Sequence, residues 1–74
     1  MSFEVVSENK TPVRWLTVLK SGMKVVSVVA RKYDDVWMIY LMSEGRTFKT
    51  IPCREEEAER IYQARINQYL EGSV

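Results

Sequence analysis

Seven consecutive residues, Val36 to Met42 (Val-Trp-Met-Ile-Tyr-Leu-Met), contain no charge, no Gly and no Pro. Val, Ile, Trp and Tyr favour strands. The run is short and has turn chemistry on both sides, Asp34-Asp35 before it and Ser43-Glu44-Gly45 after it. Such a segment reads as a strand buried on both faces. A strand with one wet face would alternate apolar with polar, and this one does not. One face is expected to meet the chain's own core and the other to meet something else.

The chain has 74 residues, enough for a single domain (1–74). A domain near this size buries only about 60% of the surface its unfolded chain exposes. Ordering the backbone costs about 1–2 kcal/mol per residue. A chain so short has little apolar area to leave in water, and a partner or a second copy would help stabilise it. Hydrophobic residues make up 46% and charged residues 28% of the sequence, a globular composition.

Around the central run the pattern predicts an α+β fold. It is an antiparallel meander of three to five strands over residues 13–51, followed by one amphipathic helix over 53–71 packed on one face. Residues 1–10, with Phe3, Val5 and Val6, are expected to form an edge strand or an arm. From Val13 to Lys20, Trp15, Thr17 and Leu19 share one face, and Arg14, Leu16, Val18 and Lys20 share the other. Ser21-Gly22 turns the chain into a Val-rich strand ending at Tyr33. Arg46 to Ile51 reads as a shorter strand with Arg46, Phe48 and Thr50 on one face and Thr47, Lys49 and Ile51 on the other. Pro52 is expected to end the sheet. Glu55, Glu56 and Glu57 then mark a helix N-terminus, where the dipole favours negative charge. Ala58, Ile61, Tyr62, Ile66, Tyr69 and Leu70 recur at three- and four-residue spacing, one apolar stripe. Arg65 interrupts the stripe with a stem that can lie along the core. Glu71-Gly72 stops the helix.

One helix covers one face of a sheet. The surplus apolar surface is expected among Trp15, Trp37, Met38, Tyr40 and Met42, as a protein-binding or homodimer surface. The competing arrangement has the N-terminal arm fold over that face through Phe3. A second set of residues, Arg14, Lys24, Arg31, Lys32, Arg46 and Lys49, suits nucleic-acid contact, with aromatic rings available to stack on bases. Lys10 to Lys32 holds six basic residues and no acid. The same charges also fit strand ends and turns, where they keep sheet edges unpaired.

Catalysis finds little to work with. The chain has no His, which removes the commonest general base and metal ligand. Cys53 sits beside three Glu that oppose a thiolate and reads as an inert residue at the helix start. Adjacent Glu on a helix splay around it, so no metal site is expected, and no cofactor or small-molecule substrate either. A lone Cys suits a reducing, cytoplasmic setting. No apolar run is long enough to span a bilayer, and the first residues lack the order of a signal peptide. The expectation is a non-enzymatic protein acting by contact, an adaptor or inhibitor of the kind phage and accessory genomes encode. Nucleic-acid binding through the sheet is the alternative.

From Asp35 to Asn67, Trp37, Ile39 and Leu41 fall in one strand, Gly45 in the turn and Phe48-Lys49-Thr50 in the next strand. Glu56-Glu57-Ala58, Tyr62 and Ala64 follow in the helix. This pattern resembles the three-strand-plus-helix DNA-binding fold of plant AP2 domains and phage integrase arm-binding domains. The resemblance implies a sheet face laid into the major groove, with Arg31, Arg46 and Lys49 in the reading role. The middle strand carries none of the Arg that the family places there.

Overall fold

The computed structural model describes residues 2–72. The elements are β1 (Glu4–Lys10), β2 (Arg14–Ser21), β3 (Lys24–Tyr33), β4 (Val36–Ser43), β5 (Arg46–Arg54) and α1 (Glu55–Leu70). The five strands form one antiparallel sheet in chain order, β1-β2-β3-β4-β5. The fold is α+β: a five-stranded meander with one C-terminal helix packed on it. Every connection is local, so each strand pairs with its neighbour in sequence.

The turns are tight because their residues accept positive φ. Glu44 (φ 54°) and Gly45 (φ 75°) are both left-handed, the signature of a type I′ hairpin turn. Asp34 (φ 58°) plays a similar part between β3 and β4. The β1–β2 corner is closed by Thr11, whose Oγ1 accepts from the Arg14 amide at 3.0 Å.

Two boundaries differ from the sequence reading. Pro52 does not end the sheet: it lies within β5, opposite Met38. β5 is an outer strand, and an outer strand tolerates Pro because one side needs no ladder donor. Cys53 and Arg54 also continue β5, opposite Trp37 and Val36, so the helix starts at Glu55 with Arg54 as its extended N-cap. At the other end the Glu71 amide donates to the Asn67 carbonyl at 2.8 Å and the Gly72 amide to the Tyr69 carbonyl at 3.1 Å. Gly72 adopts φ 74°, which lets the chain leave the helix.

The core lies between α1 and one face of the sheet. Ala58, Tyr62, Ile66 and Tyr69 of α1 are buried there, against Leu19, Val28, Ile39 and Leu41 from the strands. Each large side chain so buried contributes about 1.5–3 kcal/mol. At the centre, Tyr62 Oη lies 2.6 Å from Thr17 Oγ1 and donates to the Val28 carbonyl at 3.0 Å. Thr17 is fully buried yet polar, and this contact satisfies it. Phe3 packs edge-on against Tyr69 at 5.1 Å, on the helix side. The N-terminal segment therefore seals the end of the core and leaves the other face of the sheet open.

Candidate binding face

The open face follows from register, because directly paired residues in antiparallel strands project to the same side. One row runs Leu16, Val29, Tyr40, Thr50 across β2 to β5. The next runs Val18, Ser27, Met42, Thr47, and the third Arg14, Arg31, Met38, Pro52. The first two rows make an apolar and hydroxyl-bearing centre. Val29 is only 8% exposed although no layer covers it; its row neighbours Leu16 and Tyr40 shield it within the sheet surface itself.

Of the expected apolar surface, Met38, Tyr40 and Met42 lie on this face, each half-buried. Trp15 and Trp37 do not. They pair with Ala30 and Cys53 on the helix side, and their rings stack at 4.3 Å. Trp15 also meets Tyr62 edge-on at 5.2 Å, and Lys10 Nζ lies over Trp15 at 5.3 Å. Trp37, 3% exposed, is core, and Trp15 packs half-buried against it. The alternation of β4 explains the split: Trp37, Ile39 and Leu41 face α1, while Met38, Tyr40 and Met42 face outward.

The basic set also divides. Arg14 and Arg31 are on the open face, directly opposite one another on β2 and β3. Lys32 is on the helix side, bound to Glu55 at 2.7 Å. Lys24 pairs with Ser21 at the β2–β3 hairpin end, in phase with the helix side. Arg46 and Lys49 fall on the helix side as well, opposite Ser43 and Leu41. A register shift between Leu41 and Met42 causes this. It breaks the alternation expected for β5, placing Thr47 with Thr50 on the open face and Arg46 with Lys49 on the other. Lys20 and Arg54, opposite Val25 and Val36, complete the cations of the open face. Its strand carboxylate is Glu4, opposite Lys20.

Around the arginine pair the face dips into a hollow of about 270 Å³, lined among others by Tyr33, Tyr40, Met42 and Thr47. The Tyr33 and Tyr40 hydroxyls meet at 3.3 Å above it. The Arg31 guanidinium lies 5.6 Å from the Tyr33 ring centre. The hydrogen bond between the two hydroxyls, then burial, raises the Tyr40 pKa; the Arg31 charge pulls the other way. Sequence reasoning missed Tyr33 and Val29 as members of this face. The signal for Val29 was its register with Leu16 across the Ser21-Gly22 hairpin.

Cys53 is half-buried at the end of β5. Burial, then the nearby Glu57 carboxylate, raises its pKa. Among the described residues no group of three His, Cys, Asp or Glu converges as metal ligands would, and no helix is long and apolar enough to cross a membrane. No family model, curated protein or solved structure matches the chain.

Proposed function

We propose that this is a small non-enzymatic binding protein whose working surface is the open face of the sheet. The observation that carries the reading is the division of β4. Its outward set, Met38, Tyr40 and Met42, is apolar or aromatic where a merely solvated strand would be polar. Among the described residues the N-terminal segment does not cover that set: Glu4–Lys10 pairs as the edge strand β1 and Phe3 packs against Tyr69 on the helix side. The protein then acts by holding another molecule against this face, as an adaptor or inhibitor does.

The test is a pair of charge insertions, Met38→Lys and Tyr40→Lys. Each is read by sedimentation for self-association and by binding to candidate partners, with circular dichroism as the control for folding. Loss of association or binding with an intact fold is the expected outcome. A chain that folds, sediments and binds as before, with both lysines in place, would show that this face does no work.

A further inference from the structure

From the charge arrangement on this face we infer that its occupant is a single-stranded nucleic acid, with the Arg14–Arg31 pair seating the phosphates and Tyr33 and Tyr40 stacking on bases. The inference rests on the open face being the working surface and adds the partner.

Like charges directly opposite on adjacent strands destabilise a sheet. Arg14 and Arg31 stand in that relation. Among the described residues the ion pairs are Lys32–Glu55 and Arg60–Glu57, both away from the open face. The two guanidiniums therefore share a hollow with two tyrosine hydroxyls and no carboxylate to neutralise them. An anion between them converts the repulsion into a two-sided, charge-assisted contact. Arg54 and Lys20 extend the positive field along the same face. The first turn of α1, with Glu55, Glu56 and Glu57, places negative charge on the opposite side of the sheet. Lys24, Arg46 and Lys49 lie on the helix side, but there the helix carboxylates offset them, so the open face is the side where cations outnumber acids and a polyanion is drawn to it.

A second copy fits this face poorly. Pairing two open faces about a twofold axis brings both arginine pairs into one interface, where Glu4 is the one strand carboxylate to offset them. Docking the acidic helix of one copy onto the cations of the next is head-to-tail and does not close into a dimer.

Duplex is also disfavoured, by width. Five strands at about 4.8 Å spacing make a sheet about 19 Å across, whereas the major groove is about 12 Å wide. Arg14 and Arg31 are on β2 and β3, inside the sheet edges, and would be held off the bases. A single strand offers unstacked base faces to Tyr40, Met38 and Met42, and comparable sheet faces stack two or three bases. Aromatic side chains beside a cationic track are what sequence-tolerant single-strand binding uses.

The experiment is fluorescence anisotropy of a labelled oligo-dT, a labelled oligo-U and a labelled duplex, titrated with the full chain from low to moderate salt. The expected result is binding to the single strands, weaker binding to duplex, and a log–log salt slope near −0.7 per phosphate neutralised. Arg14→Ala and Arg31→Ala should each weaken binding roughly tenfold, and together flatten the slope by about 1.4. Tyr40→Ala should weaken binding roughly tenfold, and Tyr40→Phe by less than about threefold, because the ring stacks without its hydroxyl. Lys49→Ala, on the helix side, should leave binding unchanged. Fluorescence of the Trp15–Trp37 pair, on the far side of the sheet, confirms that each variant is folded.

Preference for duplex overturns the inference, as does binding that ignores the two arginines. So does absence of binding at low salt, and the next result then separates the two proposals. If the chain self-associates and Met38→Lys abolishes it, the nucleic-acid inference falls while the binding face stands. If Met38→Lys changes nothing either, both fall.

Discussion

Removing one oxygen atom from the core, by Tyr62→Phe, tests how this small sheet is held to its helix. Tyr62 is fully buried. Its hydroxyl is 2.6 Å from Thr17 Oγ1 and 3.0 Å from the Val28 carbonyl, so it joins α1 to both β2 and β3. Glu8 Oε2 also lies 3.4 Å from Thr17 Oγ1. Two hydroxyl protons thus serve three contacts. With Tyr62 donating to Val28, the Thr17 proton goes to Tyr62 at the shorter distance and Glu8 receives none. A buried hydrogen bond contributes about 0.5–1.5 kcal/mol net, and leaving a buried partner unmet costs about 1–3 kcal/mol. Tyr62→Phe loses two contacts, but it frees the Thr17 proton for Glu8. The expected loss is about 2 kcal/mol, a large share of the roughly 5 kcal/mol typical at the low end for a domain. Urea unfolding followed by tryptophan fluorescence measures it, since Trp15 touches Tyr62. At a slope near 1 kcal/mol per molar urea the midpoint falls by about 2 M with the slope unchanged. Thr17→Val should cost less, because Tyr62 keeps Val28. The double variant should fall short of the sum by about 0.5 kcal/mol or more. A loss from Tyr62→Phe below about 0.5 kcal/mol, or strict additivity with Thr17→Val, would refute the shared-proton account.

The same site sets an alkaline limit. Burial first, then the Glu8 charge, raises the Tyr62 pKa against the opposing Thr17 hydrogen bond. A raised folded pKa gives stability that is complete below the unfolded value near 10 and is lost as pH rises through the folded value. Stability should therefore fall above about pH 10, less steeply in Tyr62→Phe, as read by urea midpoints across pH. Glu44 occupies a left-handed position that Asn or Gly adopts at lower cost. Glu44→Asn should stabilise the fold by about 0.5–1 kcal/mol, seen as a melting-temperature rise of roughly 2–8 °C. Cys53 should react with a disulfide reagent more slowly than free cysteine at pH 8, and Glu57→Gln should speed the reaction.

The meander and the helix were legible because each rests on local chemistry. Asp34-Asp35 and Glu44-Gly45 mark turns by residue type, and the Ala58, Tyr62, Ile66 spacing marks one helix face. Which face of β4 met the helix was not legible from that strand alone, because every residue from Val36 to Met42 is apolar and the period vanishes. β2 carried the missing phase. Arg14 and Lys20 put Leu16 and Val18 on the wetter side, so Trp15 belongs with Thr17 and Leu19, and pairing through β3 then assigns Trp37 to the core. The β5 assignments failed for a different reason: a one-residue register shift opposite Leu41 and Met42 exchanges the two sides, and bulges leave little trace in a strand of mixed Thr and Lys. Pro52 reads as a stop in the sequence, but on an outer strand it is compatible with pairing on one side.

Because the aromatic core lies on one side and the candidate surface on the other, mutations on the two sides should separate function from folding. Ile39 and Met38 are adjacent in β4 yet project oppositely. Ile39 is fully buried under α1, so Ile39→Ala should cost about 2–5 kcal/mol and unfold a domain of this size or nearly so. Met38 is half-buried and faces outward between Arg31 and Pro52. Met38→Ala leaves a shallow dent open to water instead of a sealed cavity, and should cost less than about 1 kcal/mol. Differential scanning fluorimetry on an alanine series through Trp37–Met42 should therefore give a two-residue periodicity, with large losses at 37, 39 and 41 and small ones at 38, 40 and 42. A flat profile would mean that the outward side chains are as deeply packed as the inward ones. In that case something covers the open face in the free protein, and the binding experiments must first remove it.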